Sequence, residues 1–527
     1  METRGLAQTM GVCAALLVVL AVALTVRLPA LDRRPMHGDE ANQAVRTGLL
    51  MDTGVYHYDP SDHHGPVLYF SALPFCRATA KTFSDTTEWN FRLVPVFFSC
   101  LTLLLMAGLG SDRRSGLFAN GPGLVMALAL TALSPAMVYY SRFFIQESMF
   151  VTFLTGMLAC AVGYVRSREA AAPSAIRSVV WAAGFGVSAG LALATKETVV
   201  LSFAAAAVAA FAACGVRRLV RFWRTRDALV AIACAVGVAI LFYSSFFTYA
   251  KGVHDAVFAT ASTYAARATA VPEHQHPWNF YLKILFWFRY GRGPVWSEAG
   301  LLVPALLTIG GAFWPREETT PRIRWARFIA VYTVALTALY SAIPYKTPWC
   351  ALTFLHGYIL LAGIGLGEVW EWLQKNASLG VRWGGGMSVC ALAAALLAFD
   401  ATQMRRACYR LPADPRNPFV YAHTGTDAMN LVASVEMAAR ACQGFATPIA
   451  VAAPTGDTWP LPWYLRKYTQ VGYWNRVEDI PAEFTPEIVI AASDQGDRAD
   501  ARFGRGKRAS FFGIRPGVLL NVFVPEK

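Results

Sequence analysis

Two adjacent carboxylates, Asp39 and Glu40, stand in the run His37-Gly38-Asp39-Glu40-Ala41, directly after the first apolar stretch of the chain. One carboxylate can take a proton from an incoming hydroxyl, and a second beside it can orient that group or hold a cation. The same residues can equally begin a helix carrying Ala41 to Leu50, with Asp39 as its cap and Glu40 in the first turn. Standing alone, the run reads first as such a helix start. The loop that follows adds His57, Asp59, Asp62, His63 and His64 before Gly65-Pro66. Side chains of these types bind divalent metals, but their spacing matches no standard cage and a solvated loop accounts for them.

Three further places set charges beside apolar runs. Ser141-Arg142-Phe143-Phe144-Ile145-Gln146-Glu147 brings an arginine and a carboxylate to the start of one run, where favourable placement on a helix dipole is the simpler account. Lys196-Glu197 falls between two runs with almost no loop; charges so close to membrane spans mark functional positions by default, although a local Lys–Glu pair is a structural alternative. Tyr345-Lys346-Thr347-Pro348-Trp349 is another short turn with one cation, equally explained as interfacial anchoring. Nearer the C-terminus, Trp459-Pro460-Leu461-Pro462-Trp463-Tyr464 offers indole faces to a sugar or an acceptor, with core packing as the plainer use.

What must position these residues is a membrane. The chain has 527 residues, 55% of them hydrophobic and 15% charged, and apolar runs near the ~20 residues that cross a ~30 Å hydrocarbon core recur along it. They give about eleven spans, near 9–31, 91–109, 121–140, 148–165, 179–195, 198–216, 228–249, 299–314, 326–343, 349–366 and 385–401, the first read as an uncleaved helix. Pro66 to Phe75 is too short to span and reads as an interfacial helix. Threading the chain with its N-terminus inside gathers Arg113, Arg114, Arg166 to Arg177, the run Arg217, Arg218, Arg221, Arg224 and Arg226, Arg316 to Arg327, and Lys375 to Arg382 on one face. That face is the cytoplasmic one by the positive-inside rule. The net charge of +13 is therefore topology, and nucleic acid is not an expected partner. All the acidic and cationic sites above then fall on the opposite face. Trp278, Phe286, Trp287, Tyr290 and Trp296 crowd the same side as an aromatic belt.

After Arg405 the composition turns soluble, helix-like over Asp427 to Cys442 and strand-like over Pro448 to Ala453, Glu487 to Ala492 and Gly517 to Val524. The fold class expected is an α-helical polytopic membrane protein, residues 1–403, with a small extracytoplasmic α/β domain, residues 404–527. Most of the ten cysteines lie in the spans as small buried hydrophobes. Cys408 and Cys442 lie in the outer domain, where a disulfide and two free thiols are both open.

Taken together, HGDEA at 37–41, DHHGP at 62–66, SRFFIQES at 141–148, ATKET at 194–198, YKTPW at 345–349 and WPLPWYLRKY at 459–468 resemble the C-type membrane glycosyltransferases, the superfamily of protein O-mannosyltransferases and lipid A aminoarabinose transferases. The closer resemblance is to a subgroup called flippase-activity-associated proteins, after an archaeal protein-glycosylation locus. In the superfamily an acidic pair lies in the first outer loop, an Arg followed by an acidic residue precedes the fourth span, and basic outer turns hold a polyprenyl phosphate. The resemblance thus implies a glycosyltransferase of the cell (inner) membrane, with its site on the extracytoplasmic face and a polyprenyl-phosphate-linked sugar as donor. The acceptor, whether protein, glycan or lipid, is left open. Asp39 is implied as catalytic base, Glu40 and Glu147 as supporting carboxylates or ligands of a divalent metal such as Mg or Mn. Arg142, Lys196 and Lys346, with Tyr345, are implied as phosphate and donor contacts, and His37, His64, Trp459 and Trp463 as sugar or acceptor contacts. The absence of a nucleotide-binding glycine motif agrees with a lipid-linked donor. A transporter, flippase or accessory subunit for lipid-linked sugars is the alternative; it should carry polar groups at mid-membrane and repeated halves, whereas these charges gather at span ends.

Overall fold

The computed structural model describes residues 2–60, 64–110, 116–118, 121–170, 172–218, 223–270, 274–315 and 319–526. Asp62, His63, Arg113, Arg114, Arg221 and Arg316 lie outside the described residues. In chain order the helices are α1 (Glu2–Thr25), α2 (Gly38–Thr53), α3 (Val67–Arg77), α4 (Glu88–Leu109), α5 (Gly121–Leu133), α6 (Pro135–Tyr140), α7 (Glu147–Glu169), α8 (Ala175–Leu193), α9 (Val199–Cys214), α10 (Thr225–Tyr243), α11 (Lys251–Ala270), α12 (Phe280–Phe286), α13 (Ala299–Phe313), α14 (Pro321–Ala342), α15 (Leu352–Asn376) and α16 (Leu379–Arg405).

Among the described residues, seven helices are long and apolar enough to cross a membrane: α4, α7, α8, α10, α14, α15 and α16. Shorter apolar helices stand where the other four spans are expected, at α1, α5, α9 and α13. Three spans stop six or seven residues before the ends of their apolar runs, the seventh span among them, at Tyr243. The first ends at Thr25, close to Leu28-Pro29, since a residue before proline is driven out of the α region. The third breaks at Ser134-Pro135, where Ser134 caps a new helix and Pro135 supplies a first turn needing no amide proton. The interfacial helix foreseen at Pro66–Phe75 is α3, with Pro74 inside it. Of the aromatic belt, Trp278, Trp287 and Tyr290 are exposed, but Trp296 is buried and donates from Nε1 to the Arg416 carbonyl at 2.7 Å. It belongs to the core rather than to the belt, because an indole N–H with a fixed carbonyl partner is satisfied inside.

Beyond α16 come α17 (Asp427–Ala441), α18 (Leu461–Tyr464), α19 (Gly496–Phe503) and a five-stranded sheet in the order β2-β1-β3-β5-β4. The strands are β1 (Ile449–Ala452), β2 (Val471–Trp474), β3 (Ile488–Ala492), β4 (Lys507–Arg515) and β5 (Val518–Pro525). β1 and β3 pair in parallel and are buried along their whole length, which is why they read as continuous apolar runs. β2 and β4 are edge strands of mixed burial and give no such run. Cys408 and Cys442 are both free thiols.

Candidate functional site

α2 begins at the carboxylate pair, but its cap is not Asp39. His37 is the N-cap: its Nδ1 accepts from the Asp39 amide at 3.0 Å, and Glu40 reaches back to the His37 amide at 3.1 Å. This reciprocal arrangement satisfies two amides that a helix start leaves free. With Nδ1 accepting, the ring carries its proton on Nε2, which faces the Tyr421 carbonyl at 2.9 Å. The Asp39 carboxylate, 3.8 Å from Nδ1 and 52% exposed, is therefore relieved of capping and open to solvent.

Glu40 has the opposite surroundings. It is fully buried. Arg92 grips it from Nε (2.8 Å) and Nη2 (2.8 Å), Arg34 from Nη2 (2.9 Å), and the Phe144 amide donates at 2.9 Å. Burial works to raise its pKa, but the two guanidiniums outweigh it and hold the carboxyl down at about 2. Arg92 also bonds the carbonyls of Leu31, Arg34 and Pro35. Glu40 thus ties the 31–40 loop to α4 and to the Arg142–Gln146 turn. Arg34 continues the network to His423 Nε2 at 3.1 Å and lies over the Phe143 ring at 4.4 Å. Burial, then the neighbouring His37 and Arg34, keep the His423 pKa well below the usual histidine range.

A second cluster forms where three other segments meet. Lys196, 3% exposed, bonds Glu147 Oε1 and points at Cys350 Sγ at 3.6 Å, while Glu147 Oε2 is buried without a hydrogen bond. Burial opposes the Lys196 charge; Cys350 and Glu147 more than offset it and hold its pKa above the ordinary lysine range. Lys346, also buried, donates to the His276 carbonyl at 3.0 Å and to that of Ile343, and burial lowers its pKa. Tyr345 pairs through its backbone with Gln275 and lies 4.8 Å from the His274 ring. Arg142 is spent on the segment that follows α1: it donates to the carbonyls of Arg27 and Ala30 and stacks on Tyr409 at 4.7 Å. His64 Nδ1 meets Glu197 at 2.8 Å, and Tyr58 bonds the other Glu197 oxygen at 3.1 Å.

The C-terminal segments close over the first cluster. The Tyr464 hydroxyl accepts from the Met36 amide at 2.8 Å, and Thr424 donates to the Met36 carbonyl at 2.6 Å. A Cβ on Gly38 would sit 3.5 Å from Trp459 Cβ, an ordinary packing distance, so the Trp459 segment lies directly against the start of α2. Trp463 is buried, donates to Glu88 at 3.0 Å and carries the Arg466 guanidinium 3.5 Å above its ring; it joins the domain to α4. The two clusters adjoin through aromatic contacts, His37 lying 6.1 Å from Trp349, and the described parts of the six sequence runs meet on one face. Arg34, Arg92, Tyr58, Tyr421 and His423 were not singled out by type or spacing. Arg92 alone carried a usable sign, a cation inside an apolar run.

Beneath Lys196 and Glu147, an apolar cavity of about 390 Å³ runs between α7, α9, α14 and α15, from Val151 and Thr353 to Glu169 and Arg324. A divalent metal held by Glu40 and Glu147 does not fit the contacts described. Both Glu40 oxygens are filled by arginine and amide donors and one Glu147 oxygen by Lys196, and no group of three metal-binding side chains occurs among the described residues.

No family model and no curated protein matches the chain. Solved structures do. ArnT from Cupriavidus metallidurans bound to undecaprenyl phosphate is 13% identical, with a TM-score of 0.62 over 96% of this chain and 97% of that one. The archaeal oligosaccharyltransferase AglB from Archaeoglobus fulgidus, in complex with an inhibitory peptide and a dolichol-phosphate, is 10% identical, with a TM-score of 0.58 over 96% of this chain and 74% of that one. Near full-length superposition at such low identity establishes a common architecture, and the chain accordingly shares the fold of ArnT and AglB, a helical membrane protein of the kind its sequence led us to expect.

Proposed function

We propose that this protein is a membrane glycosyltransferase that moves a sugar from a polyprenyl-phosphate carrier to an acceptor on the extracytoplasmic face, with Asp39 as the base. The observation that carries the reading is the division of labour within one acidic pair. Glu40 is buried and matched by two arginines, whereas Asp39 beside it is 52% exposed and bears no capping duty. In the transfer, the acceptor oxygen bonds to the anomeric carbon, the bond from that carbon to the carrier phosphate breaks, and the acceptor proton passes to Asp39. The leaving phosphate needs cations. Lys196 and Lys346 each use two protein partners, and an ammonium has three protons, so each retains one for a phosphate oxygen. The cavity below Lys196 suits a prenyl chain. ArnT and AglB, each solved with a prenyl phosphate, support the donor class, and the arginine-rich face supports the orientation.

The test is release of prenyl phosphate from a panel of prenyl-phosphate sugars. Because His37 rather than Asp39 caps α2, Asp39→Asn should leave thermal stability unchanged and donor binding intact while turnover falls by about 100-fold or more. Near-normal turnover in that variant would overturn the assignment. Lys346→Ala should weaken donor binding more than acceptor binding; equal loss of both would mark a structural lysine.

A further inference from the structure

The far end of the membrane cavity carries its own charge. Two arginines line it there, Arg218 just beyond α9 and Arg324 in the first turn of α14, with Glu169 at the end of α7 between them. Glu169 Oε1 lies 3.7 Å from Arg218 Nη2 and 3.9 Å from Arg324 Nη2, too far for a hydrogen bond to either. Among the described residues that line this mouth, two guanidiniums thus share one carboxylate loosely, an excess of one positive charge beside Trp223, Trp325 and Phe328. Arg218 is half exposed and Arg324 mostly covered. The cavity follows α7 from Val151 to Glu169, roughly 27 Å at 1.5 Å per residue, so this mouth lies a bilayer's depth from Lys196.

We infer that this mouth is a binding site for an anionic diacyl phospholipid of the arginine-rich, cytoplasmic leaflet, its phosphate on Arg218 and Arg324 and an acyl chain in the cavity. The charge selects the class. A phosphodiester brings about one negative charge and balances the excess, whereas a phosphomonoester brings about 1.5 to 2 and would overfill it. Arginine clusters between spans on the cytoplasmic side suit such head groups. The inference needs only the cavity and the membrane, and it does not rest on the transfer reaction.

The full-length protein in phosphatidylcholine nanodiscs, titrated with phosphatidylglycerol and read by native mass spectrometry, tests it. Phosphatidylglycerol should bind in preference to phosphatidylcholine, and the double variant Arg218→Gln with Arg324→Gln should lose that preference by about tenfold or more. Ala210→Trp, which fills the cavity from α9, should lower retention without altering charge. If Arg324→Gln impairs folding, Arg218→Gln alone decides, since its half-exposed side chain is dispensable for packing. Retention unchanged in Arg218→Gln and in Ala210→Trp overturns the site. So does an outcome in which phosphatidic acid, a diacyl phosphomonoester, binds this mouth in preference to phosphatidylglycerol at equal concentration. Loss of turnover in Asp39→Asn bears on neither result.

Discussion

Two buried carboxylate sites on the same face solve one problem in opposite ways. Glu40 sits between Arg34 and Arg92 with five donors on its two oxygens. Glu298, just before α13, has only Ser134 Oγ at 3.1 Å and the Ala136 amide at 3.2 Å. A second acid stands near it: Asp400 lies one turn before Gln403, which is bonded to Ser297, and neither Asp400 oxygen has a hydrogen bond among the described residues. Neither carboxylate makes an ion pair among the described residues. Burial therefore pushes Glu298 up to about 7, while two guanidiniums hold Glu40 near 2. The lesson is that a buried acid stays ionised only where cations accompany it. Glu40 can fix the loop bearing Asp39 because its charge is matched; Glu298 holds α13 against α6 best with its proton on.

The sharpest way to break this comparison is to remove a cation. Arg92→Gln strips two donors from the buried Glu40 carboxylate and leaves the carbonyls of Leu31, Arg34 and Pro35 without theirs, and we expect a loss on the order of 3–5 kcal/mol, read as a large fall in thermal midpoint in detergent. Glu298→Gln keeps its donors and should change stability by less than about 1 kcal/mol at pH 5; comparable damage from both would erase the distinction.

Next in size is the pH dependence. The folded pKa of Glu298 is raised, so its contribution is fully present below the unfolded value of about 4.3 and is lost as pH rises through about 7. Stability should decline over that window by on the order of 1–3 kcal/mol, and Glu298→Gln should flatten the decline at least by half. A variant with the unaltered slope would place the titration elsewhere. His423 runs the other way. Its folded pKa is depressed, so its contribution is present above about 6.5 and is lost as pH falls, by about 1.4 kcal/mol per unit at most. Since Arg34 donates to its Nε2, protonation also removes that contact. His423→Gln, which keeps an acceptor, should remove this opposing contribution, so that between pH 6.5 and 5 the Glu298 slope stands alone and steeper than in the unaltered protein.

Sequence alone determined the layers of this protein, because each span must present nearly unbroken apolar surface to lipid and arginines gather on one side. The strands β1 and β3 were legible for a related reason, being buried on both faces. Their edge neighbours β2 and β4 were not, since a half-exposed edge needs no continuous apolar pattern. The candidate site was legible as a set of short runs sharing one face, and Asp39, Glu40, Glu147, Lys196 and Lys346 were found that way. Roles within the set were not. That Glu40 is held by Arg92 and the Phe144 amide, and that Arg142 serves the segment after α1, depend on partners 52, 104 and 115 residues away in sequence, while the cap on α2 is a local choice that fell to His37 rather than Asp39. Whether a carboxylate is ionised, saturated or open is set by the atoms around it, and only tertiary packing brings those atoms together.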